Sequence, residues 1–191
     1  MTQRPALRLV EGGLARDVPW LWFCGHCAAQ LPDGSAPPPN GRVCSSCGLG
    51  LLLEAREDAV PAEREAFLVV DASLLVQAVS AEAETFLGVT EELAIDKPVA
   101  NLLVSADAEA QNRTSFAAAI VQAAEGEDPE PTKRFVRPWN TFGVRTRSRI
   151  ATCGPPRAAL VVLENGAPPR LRAVASPADR RARPAASLLR R

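Results

Sequence analysis

The stretch Cys24-Gly25-His26-Cys27 and its counterpart Cys44-Ser45-Ser46-Cys47 decide the N-terminal fold of this chain. Each stretch is a C-x-x-C turn, and sixteen residues separate the two. A C-x-x-C turn brings its two sulfurs together, so a pair of turns can offer four thiolates to one tetrahedral ion. The spacing falls within the range typical of structural zinc sites. The sequence therefore predicts one structural zinc ion per chain, held by Cys24, Cys27, Cys44 and Cys47.

The four cysteines could instead form disulfides, act as a redox pair or bind iron. Disulfides need an oxidising compartment, but the first five residues lead into no apolar run of signal-peptide length, so a cytoplasmic location is expected. A redox C-x-x-C usually lies in a βαβ pattern, which neither pair has. Iron in the same four-sulfur cage, as in rubredoxin, stays open. His26 could replace a ligand, but four cysteines already complete the site, so we interpret it as a solvated loop residue.

Short strands are predicted on either side of the two metal turns. Trp20–Phe23 leads into the first turn, Leu49–Leu53 leaves the second, and prolines between them exclude a helix. This order of strand, turn, loop, turn and strand resembles a zinc ribbon over residues 19–54. About 35 residues bury too little apolar surface to fold unaided, so the metal is expected to supply the missing stability.

Composition excludes some classes of function. The 191 residues suit one medium domain or two small ones, and no run is long enough to span a membrane. The formal net charge is zero, which argues against an overall attraction to nucleic acid. The charge is nevertheless uneven: residues 54–130 carry −13 and residues 131–191 carry +12. Arginine outnumbers lysine twenty to two, which is typical of a GC-rich, bacterial genome.

From residue 66 the pattern predicts strands and longer helices. Two strands form a hairpin, three helices follow, and three strands end the unit. The predicted helices start at the N-caps Ser80, Thr90 and Ser105, and glycines end the first and third. This order predicts an α+β domain with one antiparallel sheet and its helices on one side. The predicted elements are Phe67–Val70, Leu74–Val79, Ala81–Leu87, Glu91–Ile95, Ser105–Ala124, Lys133–Trp139, Phe142–Thr152 and Ala158–Leu163.

Several short motifs occur in a fixed order within this unit. They are Leu68-Val69-Val70-Asp71, Leu74 to Ser80, Ala83-Glu84, Leu87-Gly88-Val89 and Asn101-Leu102-Leu103. In this order and with its three-strand ending, the unit resembles a PAS domain over about residues 66–165. The resemblance implies a five-stranded antiparallel sheet with helices on one side. It also implies sensing of a small molecule, light or redox state, or contacts with other proteins.

The cofactors common in the PAS family are not expected here. Haem-binding members often use a histidine ligand, but His26 belongs to the metal turns and is the single histidine of the chain. The flavin photosensors carry a reactive cysteine in an Asn-Cys-Arg-Phe motif, which this sequence lacks. Cys153 falls in a predicted turn and is interpreted as a buried thiol. We expect neither haem nor a photoreactive flavin, and a bound metabolite stays open.

The remaining segments are predicted to be less ordered. Residues 1–18 form a mobile N-terminus, and residues 55–65 form a linker or short helix interrupted by Pro61. Residues 166–191 form a disordered basic tail with seven arginines and four prolines. The tail could contact nucleic acid or an anionic partner, but we interpret it as a solvated terminus.

Arg145, Arg147 and Arg149 alternate with smaller residues, so their guanidinium groups should share one face of a strand. That face is predicted to be the open one, with Lys133 and Arg137 extending it on the neighbouring strand. The stripe is either a solvated face or a docking surface for an acidic protein, including a second copy of this chain.

These observations favour a small signalling or regulatory protein in which a sensory or docking PAS-like domain is coupled to a structural zinc ribbon. Neither a kinase, a cyclase nor a helix-turn-helix pattern follows, so output is expected through a protein partner, self-association or the ribbon. The alternative is a nucleic-acid-binding transcriptional regulator. The chain has no glycine-rich phosphate loop and no nucleophile elbow, so we do not expect an enzyme. We expect no membrane partner.

Overall fold

The computed structural model describes residues 18–31, 35–38, 40–106, 115–126, 130–141, 143 and 145–164. The predicted mobile N-terminus, apart from residue 18, and the predicted basic tail lie outside these residues. Among the helices of these ranges, none is long and apolar enough to cross a membrane. The strands are β1 Trp20–Cys24, β2 Leu52–Arg56, β3 Ala66–Val70, β4 Val76–Val79, β5 Leu103–Ser105, β6 Thr132–Pro138, β7 Thr146–Gly154 and β8 Ala158–Glu164; the helices are α1 Ala81–Leu87, α2 Glu91–Ala94 and α3 Phe116–Glu125.

The strands form one antiparallel sheet with β7 at its centre. The main order is β1-β2-β7-β8-β3-β4, with β6 also paired to β7 and β5 paired to β6. The first half of β7 pairs with β6, while its last two residues pair with β2 along the same edge. The predicted five-stranded sheet is therefore too small. β6 leaves the end of β7 unpaired, and the hairpin of β1 and β2 fills that edge.

Helix α1 begins and ends where the sequence predicts. The Ser80 side chain accepts a hydrogen bond from the Ala83 amide at 3.2 Å, and Gly88 has a φ of 65°, which an L side chain rarely adopts. The same hydroxyl accepts from the Phe67 amide at 2.9 Å. Ser80 therefore both starts α1 and joins it to β3.

The third helix is shorter than predicted. Ser105 ends β5 instead of starting a helix, because Leu103 to Ser105 pair with β6. Ser115 is the N-cap of α3 and accepts from the Ala118 amide at 3.1 Å, and Gly126 ends the helix at a φ of 74°. Residues 107–114 lie outside the described ranges. The predicted apolar face is confirmed, because Phe116, Ala119, Ile120 and Ala123 are buried.

Apolar residues cover both faces of the sheet. On one face, the helices bury Leu68, Val70 and Val161. On the other face, Phe23 and Leu53 of the hairpin bury residues of β3 and β8, including Phe67, Val69, Leu160 and Val162. The two predicted units therefore do not have separate cores. We call residues 19–54 the four-cysteine unit and residues 66–164 the main domain, and they share a sheet and a core.

The predicted linker, residues 55–65, also lies on the main domain. Its first two residues continue β2, and Ala59, Val60 and Pro61 are buried. The carbonyl oxygens of Ala59 and Val60 accept hydrogen bonds from Arg149. This segment therefore covers part of the sheet face that the sequence predicts to be open.

Candidate metal centre

The four predicted ligands converge on one point. The Sγ atoms of Cys24, Cys27, Cys44 and Cys47 all lie within 4.8 Å of one another. Cys24 and Cys47 are 3.6 Å apart, and Cys27 and Cys44 are 3.8 Å apart. A tetrahedral zinc ion with Zn–S bonds of about 2.3 Å separates its sulfurs by roughly 3.8 Å. The donor set and its spacing therefore fit a closed tetrahedral metal site.

The two C-x-x-C turns have matching backbones. Amide groups of His26 and Cys27 donate to the Cys24 sulfur, both at 3.4 Å, and the Ser46 amide donates to the Cys44 sulfur at 3.3 Å. Hydrogen bonds to sulfur favour its charged form, which is the form that binds metal. Both turns close in a left-handed residue, Ala28 at a φ of 61° and Gly48 at 70°.

Strand pairing brings the two turns together. The Gly25 amide donates to the Leu51 carbonyl, and the Cys44 amide donates to the Gly50 carbonyl, both at 2.8 Å. A Cβ atom on Gly50 would collide with the Cys24 sulfur and lie 2.7 Å from the Cβ of His26. Only glycine therefore allows the chain to pass this close to the site.

Burial and local hydrogen bonds divide the thiols into two kinds. Burial raises the pKa of the Cys24 thiol well above its ordinary value. Burial alone would also raise the pKa of Cys47, but the amides of Gly50 and Leu49 and the neighbouring thiols lower it to about 6. Without a metal, the Cys47 thiol ionises more readily than the Cys24 thiol. Metal binding must therefore displace the proton of Cys24.

The first metal turn contacts the helices of the main domain. The Ala81 amide at the start of α1 donates to the His26 carbonyl at 3.2 Å. The His26 Nδ1 lies 3.8 Å from Glu91 Oε2 in α2, and its side chain is only 17% exposed. The interpretation of His26 as a solvated loop residue is therefore wrong, because α1 and α2 pack against its turn.

Two further contacts fasten the four-cysteine unit to the main domain. Arg42, next to the second turn, donates to the Leu52 carbonyl at 3.1 Å and to the Pro155 carbonyl in the turn before β8. Phe23 packs edge-on against Phe67 with ring centroids 5.9 Å apart. The segment next to the second turn and the hairpin are thus each held to the main domain by one side chain of the four-cysteine unit.

The predicted arginine stripe divides into a buried and an exposed part. Arg149 forms an ion pair with Glu65 in addition to its two carbonyl bonds, and its side chain is 13% exposed. Sequence reasoning does not single out Glu65, because nothing local links it to a strand 84 residues away. Arg145 and Arg147 are exposed, and the Arg145 guanidinium lies 3.9 Å above the Phe135 ring. The placement of all three arginines on one open face is wrong, since residues 59–65 cover Arg149.

Cys153 is buried, as interpreted, but lies within β7 and not in the turn after it. Burial raises the pKa of its thiol to about 12. A thiol in this environment stays protonated and is a poor nucleophile. It contributes to the core beneath the four-cysteine unit.

Comparisons with known proteins return structures alone. No family model and no curated protein sequence matches the chain. The PAS domain of nitrogen regulation protein NR(II) from Vibrio parahaemolyticus is 12% identical, with a TM-score of 0.38, over 52% of this chain and 87% of that chain. The PAS domain of a protein from Colwellia psychrerythraea is 19% identical, with a TM-score of 0.36, over 52% of this chain and 84% of that chain.

Proposed function

We propose that the chain is a signalling or regulatory protein in which a PAS-like domain, the main domain, is coupled to a structural zinc ribbon, the four-cysteine unit. The hydrogen bond from Ala81 to the His26 carbonyl carries the proposal, because it joins a metal turn directly to the first helix. Pairing between β2 and β7 adds a second connection through the sheet. A change at either unit can therefore alter the other without a flexible linker.

The metal is zinc, and its role is structural. Four cysteine sulfurs complete a tetrahedral shell, so the ion has no open position for substrate or water. This supports a non-enzymatic function. Keeping four thiols reduced and available for metal requires a reducing compartment, which supports a cytoplasmic location. Metal analysis of protein purified under reducing conditions should find one zinc per chain and no stoichiometric iron.

Hydrogen exchange tests the coupling between the two units. Zinc should be removed from the full chain with a chelator, and amide exchange in α1 and α2 compared before and after removal. Coupling predicts faster exchange at Ala81 and through the helix that it starts, because the His26 turn loses its anchor. Cys153→Ala provides a matched control, since it removes a cysteine that is not a ligand. Unchanged exchange in α1 after complete zinc loss would contradict the proposal.

Arg145 and Arg147 form the proposed docking surface for an acidic protein or a second copy of this chain. Both are exposed at the end of the sheet face that residues 59–65 leave open. The acidic helical half of the main domain offers a complementary surface for self-association. Reversing both to glutamate should abolish association in low salt, while Lys97→Glu on the helical side should not. A wild-type protein that stays monomeric in low salt and captures no partner sensitive to the reversal would contradict this surface.

A nucleic-acid-binding regulator is the second candidate. The exposed Trp139 follows β6, and Phe135 and Arg137 occupy the same strand beside Arg145 and Arg147. Aromatic rings among basic groups suit stacking and phosphate contacts with single strands. Binding to labelled single-stranded DNA should then weaken steeply with salt, and Trp139→Ala should weaken it further. Absence of binding at low salt would exclude this candidate.

A further inference from the structure

A cleft of about 440 Å³ lies between the first metal turn and strands β3 and β4. One wall comes from the first metal turn, through Gly25 and His26, and from Gly50, which follows the second turn. The opposite wall comes from β3 and β4, and Glu91 at the start of α2 closes one side. Its volume falls in the range of small-molecule sites. It lies on the hairpin side of the sheet, away from the core that the helices cover.

The walls of the cleft are largely apolar. Leu53, Val69 and Ala78 line its interior, and Leu49 and Leu51 stand at the four-cysteine side. The last two are 72% and 52% exposed, and both lie just after the second metal turn. An apolar body placed in the cleft would remove this leucine surface from water.

Two carboxylates in the cleft are already held in place. Asp71 Oδ1 accepts from the amides of Ser73 and Leu75 at 2.8 and 3.0 Å, and its Oδ2 accepts from Gln77 Nε2 at 2.8 Å. Glu91 Oε1 accepts from the Val79 amide at 3.2 Å. Glu91 Oε2 lies 3.8 Å from His26 Nδ1, too far for a hydrogen bond. Groups fixed before binding lose little entropy when a ligand arrives.

The charge of the cleft is negative. Among its described lining residues, the arginine is Arg157, whose guanidinium donates to the Glu125 carbonyl at the end of α3, at 3.0 Å. The guanidinium carbon would lie 3.2 Å from a Cβ on Gly126, so the charge sits against α3. Among the described residues, no arginine or lysine pairs with Asp71 or Glu91, and the ring nitrogen nearest to Glu91 is His26 Nδ1 at 3.8 Å. Such a site attracts positive ligands and repels anions.

We propose that this cleft binds a small organic cation, an amine or amidinium group carried on an apolar or aromatic body. The apolar body lies between Leu51, Leu53 and Ala78, and the cationic group hydrogen-bonds to Glu91, with Asp71 nearby. Because the ligand would contact His26 and Gly50, its binding holds the metal turns against the main domain. This proposal rests on the proposed sensory function, and it names small organic cations as the class of ligand that is sensed.

Calorimetry with three isosteric probes tests the charge preference on the full zinc-loaded chain. Benzamidine should bind saturably in the millimolar range, neutral benzamide should bind at least about tenfold more weakly, and benzoate should not bind. In methyl NMR of the wild-type protein, benzamidine should shift the Leu51 and Leu53 signals. Equal binding of all three probes, or no benzamidine binding, overturns the proposal.

Three variants test whether benzamidine binds in this cleft. Glu91→Gln keeps an acceptor for the Val79 amide, removes the charge, and should weaken benzamidine binding about tenfold. Glu92→Gln is the matched control, because this neighbouring residue is exposed and does not line the cleft, and binding should be unchanged. Ala78→Trp should fill the cleft and abolish binding. Retained binding in Glu91→Gln overturns the proposal, and if that variant does not fold, the wild-type NMR shifts decide.

Benzamidine binding and the effect of zinc on α1 can fail independently of each other. If benzamidine does not bind but zinc removal still loosens α1, the cleft is not a cation site and the coupling stands. If benzamidine binds but zinc removal leaves α1 unchanged, the cation site stands and the coupling between metal and helices fails.

Discussion

The two faces of the sheet are covered in different ways. On one face, helices α1, α2 and α3 cover the sheet. Each of these helices lies close in sequence to a strand of the sheet. On the other face, the covering elements are the four-cysteine hairpin and residues 59–65, which meet β7 and β8 about 100 residues further on. The first face has an apolar core alone, whereas the second combines a core with a four-sulfur site and a buried ion pair.

This difference suggests that the two faces contribute to the stability of the fold in different ways. The helical face follows from helix periodicity and would be expected of many α+β domains. The hairpin face depends on pairing between distant segments, so its core and its ion pair form only when these segments meet. Four predictions test whether the second face matters as much to the whole fold as the first.

Loss of the metal should have the largest effect. Cys44→Ser removes a ligand of the closed site, and zinc binding supplies much of the folding free energy of such small units. Because Phe23 and Leu53 cover β3 and β8, the main domain should lose stability with the four-cysteine unit. We expect a single transition whose Tm falls by more than roughly 10 °C, since each kcal/mol shifts Tm by about 2–4 °C at this size. Two separate transitions, with the main domain unchanged, would show that the faces are independent.

Truncation of the aromatic contact should have the next largest effect. Phe23→Ala removes a fully buried ring and its edge contact with Phe67, and should cost about 3–5 kcal/mol. Ile120→Ala, the matched change on the helical face, should cost about 2–5 kcal/mol. Urea unfolding of both variants gives the comparison. A cost below about 1 kcal/mol for Phe23→Ala would show that the hairpin face adds little to the core.

The two neighbouring arginines should differ sharply. Arg149→Met removes the cation that pairs with the partly buried Glu65 and the donor to two carbonyl groups, and should cost about 3 kcal/mol. Arg147→Met changes an exposed residue of the same strand face and should cost less than about 0.5 kcal/mol. Chemical denaturation of the two variants measures both values. Equal costs would mean that residues 59–65 do not bind the sheet.

The smallest expected effect is a pH dependence. Burial alone would raise the pKa of Glu65, but hydrogen bonds from Arg149 and from the Ala62 amide lower it below its ordinary value. A folded pKa below the unfolded one gives stability that is present above the unfolded value, about 4.3, and is lost as pH falls through the folded pKa. The stability difference between wild type and Glu65→Gln should therefore be constant at neutral pH and shrink below about pH 4. A difference that stays the same between neutral pH and about pH 3 would contradict this role of Glu65.

Local signals predicted much of this structure. Ser80 and Gly88 set the limits of α1, the buried face of α3 followed the helical period, and the spacing of Cys24, Cys27, Cys44 and Cys47 brought four sulfurs together. Each of these depends on residues close in sequence or on a ligand geometry with few solutions.

Long-range contacts were not predicted, although one signal was present. β3 and β8 are continuously apolar, and strands buried on both faces have this composition, so a second covering layer was indicated. The segments that cover these strands could not be predicted from nearby residues. The Arg149–Glu65 contact, for example, joins residues that are 84 positions apart. The cleft between the units was missed for the same reason, because it exists only once the hairpin has docked.

Pairing between β2 and β7 has a consequence for synthesis on the ribosome. Glu54 pairs with Gly154, so the hairpin is made 100 residues before its partner strand. At about 5–20 residues per second, the nascent four-cysteine unit waits roughly 5–20 s for strand β7. Early capture of zinc would hold the hairpin in shape during this interval, and the edge that it finally occupies on β7 is then closed to pairing with other nascent chains.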